Sequence, residues 1–565
     1  MSYRAPVSEF GFLMDHVVGM DRVAATDRFA EATRDTVHAI LTEAGKMSEE
    51  VLAPLNRAGD LSPARLENGV VRSPPGFAEG YRAIAEGGYI AISADPAHGG
   101  LGLPMTVTTA VNEMMASACL SLQLNPLMTQ GQIEALEHHA SDEIKALYLP
   151  RLVSGEWCGT MNLTEPQAGS DVGALRSKAV PQEDGSYAIS GQKIYISWGD
   201  NDFSGNVIHL VLARLPDGGP GTKGISLFLV PRDLPNEDGG AGVRNSLKVV
   251  SLEHKLGLHG SPTAVMEYDG ATGWLVGEPH NGMAAMFTMM NNARLGVGVQ
   301  GLGVAEAAYQ HAVSYAMDRK QGRVPVEGGP GTILDHADVR RMLTGMKAEI
   351  FAARALALDL AVSIDLAQAT GDADMAARAA FLTPICKAYG TETGISVADT
   401  GIQVHGGMGF IEETGAAQYL RDVRVTAIYE GTNGIQAMDL VGRKMMDDGA
   451  AATTLLDEIA ETAAASDAGA ALSDAATALR TTTAALTGMQ MNDRFAGSVP
   501  YLRAFALALG GHYHLKAAKA EPGGVRAKLA HSFLLRQLPE LHGLLAQVQG
   551  GAADLYAFSA DDFAA

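Results

Sequence analysis

One glutamate, Glu430, lies in a segment whose composition suits proton transfer. The segment reads Ile-Tyr-Glu-Gly-Thr-Asn-Gly over residues 428–434, and it separates a β-branched run (423–428) from the start of an apolar helix. A carboxylate on such a turn can be desolvated and aimed at one bond, as a general base requires. The alternative is a plain helix N-terminus, where Thr and Asn are capping residues and an acid suits the helix dipole. The local sequence favours the capping interpretation, so the choice depends on the rest of the chain.

Composition describes a multidomain globular protein. At 565 residues the chain exceeds one ordinary core, and 47% hydrophobic with 19% charged residues is typical of a folded protein. A net charge of −22 without Lys/Arg runs argues against a nucleic acid partner. Charges interrupt the longest apolar stretches, so we expect no membrane span and no membrane partner. Three widely spaced cysteines, and an N-terminus without the continuous apolar core of a signal peptide, predict a cytoplasmic protein.

Hydrophobic patterning divides the chain into four regions. Residues 1–157 have apolar residues at three- and four-residue spacing, which predicts a helical N-terminal domain. Residues 158–280 contain short β-rich runs between Gly, Asp and Pro, which predict a small β domain. Helical periodicity returns in residues 281–445, and residues 446–565 predict an Ala-rich helical C-terminal extension. The predicted fold class is therefore α+β, in the order α, β, α, followed by a helical extension.

Two further patterns do not predict a site. Gly296, Gly298 and Gly301 match GxGxxG, but a dinucleotide fingerprint needs a preceding strand, and residues 283–294 look helical. We therefore predict close helix packing through these glycines. The 16 histidines show no HExxH or comparable spacing, so no metal site is predicted.

A second polar loop precedes the predicted β strands. Residues 160–171 read TMNLTEPQAGSD, which combines backbone donors, two hydroxyls and a Gly turn. This combination suits a flat polar ring system that needs hydrogen bonds along one edge. A surface loop would have the same composition if the segment stood alone.

The loop resembles the TEPxxGSD flavin-binding motif of the acyl-CoA dehydrogenase family. Four later segments resemble motifs of that family in the same order, namely GQKIYIS (191–197), YAMDRK (315–320), QVHGGMGF (403–410) and YEGT (429–432). The resemblance covers about residues 90–445, and the family's fold has the same α, β, α order. It implies an N-terminal α-helical domain, a middle β domain and a C-terminal four-helix bundle, with FAD as the cofactor.

The resemblance also implies roles for individual residues. Glu430 falls on the catalytic base, and Arg294 falls near the base and the substrate. Arg319 resembles an arginine that reaches FAD phosphate across a subunit interface, which implies a homodimer. The implied cofactor-binding residues are Met161, Leu163, Thr164, Gly169, Ser170, Tyr195, Ser197, Arg319, Gln403, Gly406, Gly407 and Thr432. The implied substrate residues are Ser170, Asn291, Arg294 and Gly431.

In that family the base removes the α-proton of an acyl-CoA thioester while flavin N5 accepts the β-hydrogen as hydride, which gives the 2-enoyl-CoA. Since the α-proton is weakly acidic, the carbonyl oxygen needs donors as charge develops. The family uses the backbone N–H of the base residue and a flavin ribityl hydroxyl. Some members carry the base just before the arginine that matches Arg294. Here residues 291–293 are Asn-Asn-Ala, which supports Glu430 instead.

The chain departs from common family patterns at two positions. After Arg319 it reads Lys-Gln-Gly-Arg where short- and medium-chain relatives have Arg-Lys-x-Phe-Gly, and Asn433 replaces a frequent Gln. Each change removes the residue of one expected flavin contact. With the long extension and the start Tyr-Arg-Ala-Pro-Val, these features resemble the 3-methylmercaptopropionyl-CoA dehydrogenase subfamily of dimethylsulfoniopropionate degradation. We expect conversion of 3-methylmercaptopropionyl-CoA to methylthioacryloyl-CoA, with a medium- or long-chain fatty acyl-CoA as the alternative substrate.

Two other functions remain open at this point. A dehydrogenase passes its electrons to an electron-transfer flavoprotein, whereas an acyl-CoA oxidase performs the same desaturation with O₂. A DNA-associated alkylation-response flavoprotein shares the fold and has a helical extension. Residues 447–565 hold 8 Lys and Arg against 13 Asp and Glu, a net charge of −5, which argues against DNA. The extension could cover either a substrate or a dimer surface.

Overall fold

The computed structural model describes residues 3–323, 326 and 328–565, and it confirms the α, β, α order with a helical extension. The N-terminal region is helical apart from one short antiparallel hairpin. Its helices are α1 (Val7–His16), α2 (Met20–Ala24), α3 (Arg34–Met47), α4 (Ala53–Leu61), α5 (Phe77–Glu86), α6 (Met105–His139) and α7 (Asp142–Val153), and its strands are β1 (Arg65–Glu67) and β2 (Val70–Arg72).

Helix α6 is almost entirely buried and is interrupted at Cys119, whose φ of −157° and ψ of 89° are not helical. The Ser121 carbonyl, just after the interruption, accepts a hydrogen bond from Trp198 Nε1 at 3.1 Å. The helix is therefore kinked where it meets the β domain.

The β domain holds nine strands, seven of which form one sheet. Its strand order is β10-β11-β5-β4-β6-β3, and β7 pairs with both β11 and β6, which closes five strands into a ring. Every residue of β7 is buried because both faces of that strand are covered. The strands are β3 (Trp157–Asn162), β4 (Lys178–Pro181), β5 (Tyr187–Ser197), β6 (Asn206–Arg214), β7 (Ile225–Pro231), β8 (Asp233–Pro235), β9 (Ala241–Arg244), β10 (Leu247–Leu252) and β11 (Thr263–Val276).

The predicted helix bundle is confirmed, and its three long helices contain 37, 34 and 33 residues. Its helices are α8 (Gly282–Asp318), α9 (Ala337–Thr370), α10 (Ala373–His405), α11 (Ala416–Val423) and α12 (Asn433–Gly442). Helices α8 and α10 approach closely through glycines. A Cβ atom on Gly298 would lie 2.7 Å from the Cys386 carbonyl oxygen, and one on Gly301 would lie 2.5 Å from that of Gly390. The GxGxxG match is therefore a helix-packing segment, as predicted.

The C-terminal extension shares the core of the bundle. Tyr513 donates a hydrogen bond of 2.7 Å to Asp359 on α9, and Arg378 on α10 forms ion pairs with both Asp359 and Glu458 of the extension. Its helices are α13 (Ala450–Ala464), α14 (Ala470–Gly488), α15 (Met491–Ala496), α16 (Ser498–Ala520), α17 (Val525–Arg536), α18 (Glu540–Gln549) and α19 (Ala560–Ala564). Among the helices of the described residues, none combines the length and apolar character needed to cross a membrane.

Candidate active site

The turn that carries Glu430 is strained and also caps a helix. Glu430 has a φ of 55°, in the left-handed region that non-glycine residues seldom occupy, and Gly431 follows at 84°. Thr432 caps α12, since its hydroxyl accepts a hydrogen bond of 3.2 Å from the Ile435 backbone N–H. Gln436 Nε2 donates to the Glu430 carbonyl oxygen at 3.2 Å. The cap and this second contact together hold the glutamate in one orientation.

Two positive side chains face the Glu430 carboxylate from the bundle. Burial raises the pKa of Glu430 to about 7, whereas Arg294 on α8 and Lys387 on α10 act to lower it. Glu430 is partly exposed as a residue, although its carboxylate is desolvated. A carboxylate with these properties can exchange protons with a ligand near neutral pH.

Arg294 is buried beside the base without a close ion pair. Its Nη1 lies 4.0 Å from the Asp439 carboxylate of α12, and Nε has no hydrogen-bond partner within the described part of the chain. Burial lowers the pKa of Arg294, while Asp439 and Glu430 raise it. A buried donor without an acceptor is costly, so this atom points to a missing polar ligand. Asn291, which precedes Arg294 by one helical turn, is exposed.

Asn433 faces the protein interior. Its Oδ1 accepts a hydrogen bond of 2.9 Å from Lys387 Nζ, and its Nδ2 donates to the Thr391 hydroxyl at 3.1 Å. Asn433 therefore joins the first turn of α12 to α10. From the sequence, Asn433 is recognisable only as the loss of a flavin contact. Lys387 belongs to no motif, and the one sign that it is buried is its place inside an apolar run.

A series of hydrogen-bonded polar side chains leads from the Glu430 turn into the N-terminal domain. The Tyr429 hydroxyl donates to Gln300 Oε1 at 2.6 Å, and Gln300 Nε2 donates to Gln123 Oε1 at 2.9 Å. Gln123 Nε2 is buried and has no partner among the described residues. The series connects Glu430's neighbour to α8 and α6.

The polar loop after β3 is anchored by a buried ion pair. Lys193 Nζ donates to the Leu163 carbonyl oxygen at 3.0 Å and lies 2.9 Å from Glu165 Oε1. Although burial raises the pKa of Glu165, Lys193 and the donors of Ser177 and Arg176 lower it to about 2. The Ile194 N–H bonds to the Thr164 carbonyl oxygen at 2.9 Å. These contacts hold Leu163 and Thr164 against β5.

The end of β5 presents an exposed aromatic ring beside this loop. Tyr195 is 62% exposed and has a φ of 60°, so it is held in the left-handed region with its ring open to solvent. Ser197 is partly buried, and the next residue, Trp198, is anchored on α6. Gly169 and Ser170 lie exposed in the polar loop, and Met161 is partly buried on β3.

The β domain contacts the bundle at Asp422, which precedes Glu430 in the sequence. The Leu258 N–H, in the loop between β10 and β11, donates to Asp422 Oδ1 on α11 at 2.6 Å. Burial raises the pKa of Asp422 to about 6 despite this hydrogen bond. Since α11 leads into the Glu430 turn, the contact orients that turn relative to the β domain.

The remaining predicted cofactor residues form a second cluster at the far end of α8 and α10. The rings of Tyr315 and His405 are 4.5 Å apart, so the C-terminal ends of the two helices lie side by side. This places Arg319 beside the turn that contains Gly406 and Gly407. Arg294 and Arg319 are 25 positions apart in the sequence, which corresponds to about 37 Å along the helix. The structure does not bring this cluster to Glu430.

The second cluster is open to solvent. Arg319 is exposed and forms no ion pair within the described part of the chain. Apart from the adjacent residues in the sequence, no described residue has an atom within 4 Å of the position that a Cβ would take on Gly406 or Gly407. Phe410, just after this turn, is 85% exposed, and Met408 and Ile411 are also exposed. Gln403 is exposed one turn before the glycines.

Four protein-family models match successive parts of the chain. The acyl-CoA dehydrogenase N-terminal, middle and C-terminal domains match residues 34–156, 160–271 and 280–446. A model described as acetyl-CoA dehydrogenase C-terminal like matches residues 455–559. The chain therefore belongs to the acyl-CoA dehydrogenase family, a class of FAD-dependent oxidoreductases.

Individual relatives agree with this family. The chain is 47% identical over 540 residues, 92% of each protein, to 3-methylmercaptopropionyl-CoA dehydrogenase of Ruegeria pomeroyi. It is 36% identical to a butyryl-CoA dehydrogenase of Syntrophomonas wolfei over 78% of this chain and 76% of that protein. The structure of Caenorhabditis elegans ACDH-11 in complex with C11-CoA has a TM-score of 0.80 at 22% identity, covers 95% of this chain and 92% of that one, and supports the fold alone.

Proposed function

We propose that this chain dehydrogenates an acyl-CoA thioester at its α and β carbons, with Glu430 as the base and FAD as its cofactor. One observation carries the proposal. Glu430 is a partly exposed residue, fixed on a strained turn, and burial of its carboxylate raises its pKa to about 7. Strain and a shifted pKa together are typical of catalytic groups.

Glu430 would accept the α-proton, and its own main chain would assist. The Glu430 N–H makes no backbone hydrogen bond within the described residues, so it is free to donate to the thioester carbonyl oxygen as negative charge develops there. Glu430 precedes the N-terminus of α12, whose positive dipole end would stabilise negative charge on that oxygen.

The residues around Glu430 and on the β domain fit a flavin. Bound FAD would supply the acceptor for the β-hydrogen, as hydride. Tyr195 offers an exposed aromatic face, and the exposed loop at Gly169 and Ser170 offers backbone and hydroxyl groups. The unpartnered Nε of Arg294 would find an acceptor in the filled site. We assign Met161, Leu163, Thr164, Ser197 and Thr432 to the same binding region, and Gly431 and Asn291 to the substrate side.

We propose 3-methylmercaptopropionyl-CoA as the substrate, on the strength of 47% identity over 92% of both chains to a dehydrogenase of that name. Anaerobic bleaching of the flavin by 3-methylmercaptopropionyl-CoA, butyryl-CoA and octanoyl-CoA tests this choice. We expect the thioether substrate to reduce the flavin with a kcat/KM at least about tenfold higher than either fatty acyl-CoA, since one altered methylene position commonly changes specificity by this amount. A preference for octanoyl-CoA would contradict the assignment and leave the dehydrogenase class intact.

We propose an electron-transfer flavoprotein as the electron acceptor, because the relatives are named as dehydrogenases. An oxidase would instead reoxidise rapidly with O₂ alone. Stopped-flow reoxidation of the reduced enzyme, with and without an electron-transfer flavoprotein, separates these two acceptors.

We also propose a homodimer in which the second cluster serves the partner's cofactor. The cluster is too far from Glu430 to contact the same flavin ring, and its glycine turn and Arg319 are open to an incoming molecule. Exposed Phe410, Met408 and Ile411 supply apolar surface for an interface.

We expect Arg319→Ala to lower FAD retention and Arg480→Ala to leave it unchanged. Arg319 would lose a charge-assisted contact to phosphate, whereas Arg480 forms an exposed ion pair with Asp457 in the extension. Light scattering combined with flavin absorbance after gel filtration measures mass and occupancy together. A monomer with full FAD occupancy would contradict the dimer proposal.

A further inference from the structure

Lys387 is a fully buried lysine beside the candidate base. Lys387 is 0% exposed, and it lies on α10 where that helix packs against the glycines of α8. A Cβ on Gly298 would come within 3.2 Å of the Lys387 Cα, so the two backbones are too close to admit water between them. Burying an ammonium group in this way is costly unless its charge is used.

The hydrogen bond of Lys387 is directed at the turn that carries Glu430. Nζ donates to Asn433 Oδ1 at 2.9 Å, and Thr391, one turn further along α10, donates to the same oxygen at 3.2 Å. Asn433 is the first residue of α12 and follows the capping Thr432. Helix α10 thus holds the helix start that fixes the Glu430 turn.

Most other charged groups near Glu430 have partners of their own. Arg443, directly after α12, lies 2.5 Å from Asp439, whose second oxygen lies 4.0 Å from Arg294 of α8. On α10, Glu392 accepts from Asn433 Nδ2 at 3.3 Å and lies 3.7 Å from Arg503 of α16. Lys387 has no ion pair within 4.0 Å among the described residues. Lys387 and Arg294 are thus the two positive groups that face Glu430 without a close ion pair.

We propose that Lys387 is a positioning residue for the base, which holds the Glu430 turn through Asn433 and supplies one of the two positive charges that the Glu430 carboxylate faces. This inference rests on the proposed role of Glu430. Because of the positive charge of Lys387, a fraction of the Glu430 carboxyl groups stays ionised at neutral pH although the site is buried. Burial lowers the pKa of Lys387 to about 8 while Glu430 raises it, so the ammonium form prevails at pH 7.

Two substitutions separate the charge from the hydrogen bond. Lys387→Gln removes the charge and keeps an amide donor. We expect the acid limb of the pH profile for flavin reduction to move upward by about one pH unit, because an opposite charge nearby lowers a carboxyl pKa by at least that much. Asn433→Ala keeps the charge of Lys387 and removes its hydrogen bond to the Glu430 turn. We therefore expect the acid limb to stay in place and the plateau rate of flavin reduction to fall by about tenfold or more.

The control is Lys516→Gln, which removes a partly buried lysine that faces Asp359 and Arg378 on the side of the extension. We expect it to leave the acid limb in place. Infrared titration of the carboxyl band that is absent from Glu430→Gln gives a readout independent of turnover, and it should show the same upward shift in Lys387→Gln.

Asn433→Asp covers the case in which Lys387→Gln does not fold. The new carboxylate would neutralise Lys387 across the existing contact with almost no change of shape, and the limb should again move upward. An acid limb and a carboxyl titration that match the wild type in these charge variants would overturn the inference. Failure of the proposed function is distinguishable, because flavin reduction would then survive in Glu430→Gln.

Discussion

Replacement of Glu430 by Gln is expected to lower the rate of flavin reduction by acyl-CoA by several orders of magnitude while FAD stays bound. The amide has nearly the shape of the carboxylate but cannot accept the α-proton, and a general base contributes about 10²- to 10⁴-fold even before its positioning is counted. The Thr432 cap and the Gln436 contact use backbone and neighbouring groups, so they remain in the variant. Anaerobic stopped-flow absorbance of the flavin measures the rate.

The matched control for this experiment is Glu349→Gln. Burial raises the pKa of Glu349 to about 7 as well, but this residue lies on α9 and faces Arg503 and Glu540 of the extension. Reduction at the wild-type rate is expected there. If Glu430→Gln kept its activity, the assignment of the base would be wrong, whatever the control showed.

The pH dependence of the wild-type enzyme follows from the same residue. The pKa of Glu430 is raised to about 7, so the carboxylate is mostly protonated below this pH and mostly ionised above it. Only the ionised form accepts a proton. Flavin reduction should therefore speed up as pH rises through about 7. This acid limb of the pH profile should be absent from Glu430→Gln.

The second large effect is expected on stability, from Arg354→Met. Arg354 on α9 is buried between Glu113 on α6 and Glu306 on α8, with contacts of 2.5 and 2.6 Å, and it lies 5.3 Å from the Phe10 ring of α1. Burial lowers the pKa of Arg354, but the two carboxylates outweigh burial and raise it. Methionine would leave two buried carboxylates without a counter-charge. Breaking a buried pair in this way costs about 3–5 kcal/mol of unfolding free energy.

The loss should depend on pH in a definite direction. Without Arg354, the pKa of Glu113, which burial already raises, moves further above its unfolded value, so folding favours its protonated form. The penalty is then small below the ordinary carboxyl pKa of about 4.3 and grows as pH rises above it. Chemical denaturation at pH 5 and pH 8 measures the difference.

Arg480→Met provides the comparison for Arg354→Met. Arg480 and Asp457 form a pair with both side chains largely accessible, and exposed pairs contribute about 0–1 kcal/mol. Equal losses in the two variants, or an Arg354 effect that is flat with pH, would show that the buried cluster does not carry the charge assigned to it.

Sequence patterns predicted the fold class and the protein family, and both predictions are confirmed. The β-rich runs at 187–190 and 193–196 form one strand, β5, because Gly191 continues the extended chain with a φ of 145°. The apolar periodicity over 130–148 is divided between α6 and α7. Ser141 caps α7 by accepting from the Ile144 N–H, a capping signal that apolar periodicity does not register. The domain boundaries and the roles of the site residues stay predictions.

The surroundings of the candidate base could not be predicted from sequence. Lys387, Gln300 and Gln123 lie far from Glu430 in sequence, and each reaches its neighbourhood only through the packing of α6, α8 and α10. Polar residues within buried helices are no different in sequence from those on a solvated face. Burial decides whether such a group becomes a costly isolated charge or a working contact.

For this protein, local signals were enough wherever function depends on adjacent residues. The capping Thr432, the glycine after the base and the polar loop before β4 are adjacent in sequence, and short motifs record them. The pKa of Glu430, on which its proposed role as a base depends, is raised by burial and lowered by charges from two other helices. Only the tertiary structure determines this pKa, because desolvation and electrostatic contacts are properties of packed surfaces and not of the order of residues along the chain.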